Sequence, residues 1–122
     1  MGMTSNEAAK HVNLEILKEI SDGNTDLMVD LINLFIGQVR TFSDQLELYN
    51  RKKDYECMAK LAHKIKNSVA MMGIDELSSD MKKLERLAQE GKKTNLYDNF
   101  IERFKKISGE AVIELKAILN SL

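Results

Sequence analysis

The chain has 122 residues, enough for one domain with an ordinary hydrophobic core. It contains no proline and is rich in Leu, Ala, Glu, Lys and Met, a composition typical of helical proteins. The net charge of −1 gives no reason to expect a nucleic-acid partner, since that binding depends on clustered basic charge. No apolar run is long enough for a membrane span and no signal-peptide pattern opens the chain, so we expect a cytoplasmic protein without membrane contacts. Cys57 is the only cysteine, which excludes an internal disulfide.

The first half of the chain predicts a short helix followed by a long one. Asn13 is placed to cap a helix over residues 14–20, and Asn24 or Thr25 to cap a second helix over about 25–50. The second helix carries apolar residues at the three- and four-residue spacing of an amphipathic helix, namely Leu27, Leu31, Leu34, Phe35, Phe42, Leu46 and Tyr49.

The second half predicts three further helices. Asp54 caps the third helix, and Gly73, which is free to adopt positive φ, ends it. Asp75 begins the fourth helix, Gly91 ends it, and Thr94 is placed to cap the last one. Because the link around Gly73 is so short, the third and fourth helices must be antiparallel neighbours.

These patterns together predict an all-α fold. Four long helices with short links and one apolar stripe each indicate an up-down-up-down antiparallel four-helix bundle, with a short additional N-terminal helix. We expect residues 12–122 to form this single bundle and residues 1–11 to be a flexible N-terminus.

A histidine on the outer face of the third helix is the candidate functional residue. At about 100° per residue, His63 points roughly 150° away from the centre of that helix's apolar stripe. The outer face around it comprises Glu56, Ala59, Lys60, Lys66, Asn67 and Ala70. A neutral imidazole is a competent nucleophile near neutral pH, and Lys66, one turn further on, can reach a phosphoryl group on His63.

Other site chemistries are excluded by composition and spacing. The second histidine, His11, is far from His63 in the chain, so no paired-histidine zinc motif exists and no metal site is expected. Cys57 lies about 120° around the helix from His63, which excludes a Cys-His dyad. No glycine-rich phosphate loop occurs, and we expect no cofactor. An exposed imidazole beside a lysine suits phosphoryl transfer, in which positioning and charge stabilisation supply most of the catalysis.

At these residues the sequence resembles the histidine-containing phosphotransfer (HPt) domains of two-component phosphorelays. Their pattern is approximately A-H-x-L-K-G-x-A-x-x-[apolar]-G, then a Leu, then Leu-Glu a turn or two later. This chain reads Ala62-His63-Lys64-Ile65-Lys66-Asn67-Ser68-Val69-Ala70-Met71-Met72-Gly73, followed by Leu77 and Leu84-Glu85. The resemblance covers roughly residues 12–120, and the bundle that it implies matches the one predicted above.

The resemblance implies roles for His63 and Lys66. His63 would be the phosphoacceptor, and Lys66 would stabilise charge on the phosphoryl oxygens. Such domains accept a phosphoryl group from the aspartyl phosphate of one receiver domain and pass it to an aspartate of another. The expected partners are therefore receiver domains and a hybrid histidine kinase, with Mg²⁺ held by the receiver. The chain would be a monomeric carrier without kinase activity of its own.

The chain departs from the family pattern at Asn67, where glycine is usual. Asn67 lies one turn beyond His63, where a side chain larger than glycine narrows the space through which a partner approaches the imidazole. Alternatively, Asn67 hydrogen-bonds the imidazole or the phosphoryl group. We expect it to tune partner choice or rate rather than to abolish transfer.

The predicted receiver-docking face combines the outer side of the His63 helix with the second helix. On the His63 helix it comprises Ala59, Lys60 and Ala70. On the second helix, Ile32 and Ile36 either add an apolar patch to this face or pack under the short N-terminal helix.

Two other interpretations remain open from the sequence. One is a histidine-kinase dimerisation helix, whose motif the run from His63 to Ser68 partly matches, with Lys64 in place of its acidic residue. The other is a non-phosphorylated helical adaptor, a pseudo-HPt domain in which His63 is incidental.

Overall fold

The computed structural model describes residues 10–122, and all regular secondary structure in this part of the chain is helical. The helices are α1 (Leu14–Ile20), α2 (Thr25–Lys52), α3 (Tyr55–Met71), α4 (Asp75–Glu90) and α5 (Tyr97–Ser121). The four long helices form a ring of neighbours, in which α2 and α4 each pack against both α3 and α5. The predicted all-α bundle with a short extra N-terminal helix is confirmed. Within residues 10–122 no helix has the length and apolarity to cross a membrane.

Side-chain caps set the helix starts that the sequence predicts. Asn13 accepts hydrogen bonds from the backbone N–H groups at the start of α1, and Asn24, rather than Thr25, caps α2. Asp54 Oδ1 accepts from the Cys57 N–H at 3.1 Å and so begins α3. These bonds satisfy backbone donors that have no partner inside the helix.

The last helix begins later than predicted. Residues Thr94–Leu96 form a 3₁₀ turn, and α5 starts at Tyr97 without a side-chain cap. The prediction that Thr94 caps this helix is therefore wrong. The chain enters the turn through Lys93 in the left-handed conformation, with φ at 52°. Tyr97 is fully buried and fixes the start of α5 from the core side.

The buried face of α2 differs from the predicted stripe at its N-terminal end. The buried residues are Met28, Ile32, Phe35, Phe42 and Leu46, whereas Leu27 and Leu34 are 41% and 59% exposed. Two apolar rows run side by side in this part of the helix, and local periodicity does not choose between them. The row that is buried continues at the same spacing to Phe42 and Leu46, while the exposed row continues into Gln38, Thr41 and Gln45. Continuity along the whole helix therefore decides which row faces the core.

The segment before α1 is bound to the first turn of α4 and to the C-terminal half of α5. Its residues 1–9, which belong to the predicted flexible N-terminus, lie outside the described residues. The backbone N–H groups of His11 and Val12 each donate to Glu114 Oε1 at 3.0 Å. The His11 ring contacts Glu76 through Nδ1 and Glu110 through Nε2.

The two ring contacts indicate that His11 is protonated. A carboxylate accepts hydrogen bonds and does not donate them, so both ring nitrogens must carry a proton to make both bonds. Burial works to lower the pKa of His11, but the hydrogen bonds to Glu110 and Glu76 outweigh it, and the pKa is raised above 6.5.

Candidate functional site

The buried face of α3 determines where His63 points. Met58, Leu61, Ala62, Ile65 and Val69 all lie in the core, so the opposite side of the helix faces solvent. The His63 side chain is 55% exposed there, as predicted. A ring this accessible can be approached by the reactive group of another protein.

Glu85 of α4 links His63 and Lys66 in one polar cluster. Glu85 Oε2 lies 2.9 Å from His63 Nδ1, and Glu85 Oε1 accepts a hydrogen bond from Lys66 Nζ at 3.1 Å. The Lys66 and Glu85 side chains are only 25% and 17% exposed. The cluster therefore lies at the seam between α3 and α4, partly shielded from solvent screening.

The contact with Glu85 fixes the tautomer of the His63 ring. Since a carboxylate only accepts, Nδ1 must donate its proton to Glu85, which leaves the lone pair on Nε2. Nε2 has no hydrogen-bond partner among residues 10–122. Lys66 Nζ also lies 3.4 Å from Nδ1, but an ammonium and a protonated Nδ1 are both donors, so the productive bond of Lys66 is the one to Glu85.

The charge state of Glu85 supports this arrangement. Burial works to raise the pKa of Glu85, but the hydrogen bonds from Lys66 and His63 outweigh it and leave the pKa below 4.5. Glu85 is therefore an anion at neutral pH. It orients the imidazole and neutralises Lys66 at the same time.

Glu85 belongs to the Leu84-Glu85 pair of the motif, and the motif alone does not predict its contact with His63. The short link between α3 and α4 contained enough information to do so. His63 precedes Ile74 by eleven residues and Glu85 follows it by eleven, so an antiparallel hairpin centred on Ile74 sets them side by side.

A groove of about 650 Å³ runs between α3 and α4 next to His63. Its lining comprises Tyr55, Glu56, Ala59, Lys60, His63, Glu85, Ala88, Gln89, Glu90 and Gly91. Ala59 is only 5% exposed, so its predicted place on the outer face is wrong. It lies toward α4, where the small side chains of Ala59 and Ala88 leave the space that forms the groove.

The other predicted residues of α3 are on the surface. Lys60 and Ala70 are exposed, and Lys60 Nζ lies 3.7 Å from Glu56 Oε1. Asn67 is exposed one turn from His63 and makes no hydrogen bond to the imidazole among the described residues.

The structure corrects the α2 part of the predicted docking face. Ile32 is fully buried and Ile36 packs against the core, so Ile32 is not available to a partner. The reason is the register of α2, which turns the Ile32 row inward and the neighbouring row outward. The row that faces outward contains the exposed Leu27 and Leu34, with the half-buried Leu31 between them and the half-buried Met71 of α3 beside them. We call these four residues the α2 apolar surface.

No group of His, Cys, Asp and Glu side chains in residues 10–122 is arranged to hold a metal ion. The contacts described above define a site in which a helical bundle presents one imidazole, oriented by a carboxylate and accompanied by a lysine. This is the arrangement expected of a histidine phosphotransfer domain.

Comparison with known proteins identifies the family. The family model for the Hpt domain matches residues 30–121, and the chain belongs to this family. The resemblance derived from the motif around His63 is thus confirmed.

Two similar proteins extend the comparison. The chain is 26% identical over 88 residues to the phosphorelay intermediate protein YPD1 of Candida albicans, a match covering 72% of this chain and 46% of that protein. The chain thus spans about half the length of this curated relative. The fold resembles the crystal structure of histidine-containing phosphotransfer protein B from Pseudomonas aeruginosa, with a TM-score of 0.85 and 20% identity. That likeness covers 93% of this chain and 98% of the other.

Proposed function

We propose that this chain is a phosphorelay carrier in which His63 accepts a phosphoryl group from the aspartyl phosphate of one receiver domain and passes it to an aspartate of another. The observation that supports this most strongly is the orientation of the imidazole, whose Nδ1 is bound to Glu85 while Nε2 has no partner among residues 10–122, on a side chain that is 55% exposed. Membership of the Hpt family gives the reaction class.

The proposed step follows from this geometry. The Nε2 lone pair attacks the phosphorus atom and an N–P bond forms. The bond between phosphorus and the carboxyl oxygen of the donor's aspartate breaks, and that oxygen keeps the electron pair as part of a carboxylate. The proton on Nδ1 stays in its hydrogen bond with Glu85 during the transfer. The ring consequently gains positive charge as the N–P bond forms, and the Glu85 carboxylate stabilises that charge. Transfer to the second receiver is the reverse of these events.

Lys66 changes partner in this proposal. In the unphosphorylated chain its ammonium is bound by Glu85, 3.1 Å away. A phosphoryl group on Nε2 presents a second anion within reach of the same flexible side chain. Lys66 then stabilises the phosphoryl oxygens, and Glu85 keeps its bond with Nδ1.

The proposed docking face joins the groove beside His63 to the α2 apolar surface. The two lie on opposite sides of the exposed ridge of α3, so a receiver centred on His63 contacts both. Lys60 and Ala70 lie on the ridge itself, and Asn67 lies on its α2 side, where it tunes the approach of the partner. Burying the exposed leucines of α2 supplies apolar contact area that the surface otherwise leaves in water.

The carrier works in this proposal without a cofactor of its own and without kinase activity. Its partners are receiver domains and a hybrid histidine kinase, and Mg²⁺ belongs to the receiver, where it neutralises the phosphoryl oxygens during transfer. The chain acts as a monomer, because α2–α5 already form a four-helix bundle. A kinase dimerisation hairpin needs a second chain to complete such a bundle, so the geometry disfavours that alternative.

A transfer experiment tests the proposal. The chain is incubated with Mg²⁺ and a panel of phosphorylated receiver domains, and protein-bound phosphate that is labile in acid and stable in alkali is measured. We expect such phosphate on the wild-type chain and none on His63→Gln. His11→Gln is the matched control, because His11 is the only other histidine, and it should be labelled like the wild type. Absence of label from the wild type with every receiver would support the adaptor alternative instead.

A further inference from the structure

A set of uncompensated positive charges lies on the outer side of α4. Lys82, Lys83 and Arg86 are exposed, and none of them has an ion-pair partner among residues 10–122. They follow one another at helical spacing on the side of α4 that continues outward from Glu85. We call these three residues the α4 basic face.

The carboxylates that usually balance such charges are bound elsewhere. On α4 itself, Asp80 Oδ2 accepts from Arg103 Nε at 2.7 Å, and Glu85 is engaged by Lys66 and His63. Glu90 pairs with Lys92 at 3.4 Å. The α4 basic face therefore keeps its full charge in a chain whose net charge is only −1.

The basic face is continuous with the phosphoacceptor site. A groove of about 430 Å³ is lined by Lys66, Ser79, Lys82, Lys83, Glu85, Arg86 and Gln89. Two of its lining residues, Lys66 and Glu85, also contact His63. Two further cations of α3 lie near His63, and each has a contact of its own: Lys60 Nζ lies 3.7 Å from Glu56 Oε1, and Lys64 Nζ lies 5.9 Å from the centre of the Phe42 ring. In the described part of the chain, the cations near His63 that have neither an ion-pair partner nor a ring contact are thus those of the α4 basic face.

We propose that the α4 basic face binds an acidic surface of the protein that exchanges phosphoryl groups with His63, and that it increases the rate at which this partner associates. The inference rests on the proposed function. Its basis is charge complementarity, because a protein that presents a phosphorylated carboxylate to His63 brings negative charge to the edge of this groove. Clustered charge of one sign beside a binding site raises association rates by about 10- to 1,000-fold at low ionic strength. Salt reduces this enhancement, because exposed charges that are further apart than the Debye length, about 8–10 Å at ionic strengths of about 0.1–0.15 M, are largely screened from each other.

The test compares two double charge reversals of equal size. Lys82→Glu with Arg86→Glu reverses the basic face, and Lys106→Glu with Lys116→Glu reverses two exposed lysines on α5, which lies diagonally across the bundle from α3. Both variants alter exposed side chains, whose substitution usually changes stability by less than about 0.5 kcal/mol. Urea unfolding checks that both remain folded.

The measurement is the second-order rate constant of transfer from the receiver that labels His63, taken at low and at high salt. For the α4 reversal we expect a fall of about 10-fold or more at low salt, with the difference shrinking as salt is raised. The α5 reversal should transfer within about twofold of the wild type under both conditions, since its charges lie outside the docking face. Equal rates for the two reversals at low salt would overturn the inference.

Two further arms separate this inference from the proposed function and from another occupant. Phosphoramidate, a small donor that needs no docking surface, should label His63 in the wild type and in both reversals. Labelling by phosphoramidate together with equal transfer rates would remove the basic-face inference and leave the carrier role intact. Binding of duplex DNA that is lost only in the α4 reversal, with receiver transfer unchanged, would assign the face to nucleic acid and also overturn the inference.

Discussion

Substituting Gly73 by alanine should destabilise the fold more than any ordinary surface change. Gly73 ends α3 with φ at +70°, a conformation that costs an L-residue about 1–2 kcal/mol. A Cβ at this position would also lie 2.4 Å from Asn13 Cβ and 2.9 Å from the Asn13 backbone nitrogen. These approaches are well below van der Waals contact, so the segment before α1 has to move.

The size of the effect follows from what that movement breaks. Asn13 N–H donates to Met72 O at 3.1 Å, and the Asn13 side chain caps α1. Loss of the backbone bond costs about 1 kcal/mol, and loss of the cap about another 1 kcal/mol. With the strain at Gly73 itself, Gly73→Ala should lower the free energy of unfolding by about 3–4 kcal/mol.

Gly91→Ala provides the matched control. Gly91 ends α4 with φ at +63°, but a Cβ there meets nothing within 4 Å. This variant should therefore lose only the conformational cost of about 1–2 kcal/mol. Urea denaturation followed by circular dichroism measures both values. Equal losses in the two variants would refute the close packing of the N-terminal segment against the α3–α4 turn.

Three other predictions concern the site and the surface. Transfer through His63 should become slower in the order wild type, Glu85→Gln, Glu85→Ala. The loss for Glu85→Ala should be roughly 10- to 100-fold, because a hydrogen bond to a charged group contributes about 1.5–3 kcal/mol. Equal rates for the three proteins, in transfer reactions quenched at timed intervals, would contradict the assignment of the tautomer. Gly37→Ala and Gly109→Ala each fill open space at an exposed mid-helix position. Each should raise the free energy of unfolding, measured by urea denaturation, by about 0.5–1 kcal/mol. Only Gly37→Ala, which lies one turn from the α2 apolar surface, should also slow transfer from a receiver. Because the folded-state pKa of His11 is raised, its contribution to stability is complete below pH 6.5 and is lost as the pH rises through the higher folded value; the free energy of unfolding should fall over that range in the wild type and not in His11→Gln.

Much of the fold follows from local patterns in the chain. Asn13, Asn24 and Asp54 are strong helix caps, and Gly73 and Gly91 are strong terminators, so the bounds of α1 to α4 could be predicted within a few residues. The prediction that Thr94 caps the last helix was wrong, because α5 begins after a 3₁₀ turn at a buried tyrosine and has no side-chain cap.

The candidate site could be predicted in part. The orientation of His63 depends only on the apolar stripe of its own helix, and the prediction of its exposure was correct. The contact with Glu85 depends on the pairing of α3 with α4, which the apolar stripe of α3 alone does not reveal. The sequence left Ile32 open between the docking face and the interior, because two adjacent apolar rows on α2 share the same period, and only the continuation of one row to Leu46 identifies the buried face.

The contacts of His11 have no local signal at all. Glu76 lies on α4, and Glu110 and Glu114 lie on α5, so they meet His11 only when the whole bundle is assembled. Contacts of this kind depend on tertiary structure, and periodicity along one helix does not reveal them.

The most direct measurement is the position of the phosphoryl group on the labelled chain. Nuclear magnetic resonance of the protein after labelling by a receiver distinguishes Nε2 from Nδ1 phosphohistidine. The account predicts a single phosphoryl group on His63 Nε2, with Nδ1 still protonated and bound to Glu85. Phosphate on Nδ1, or on any residue other than His63, would contradict it.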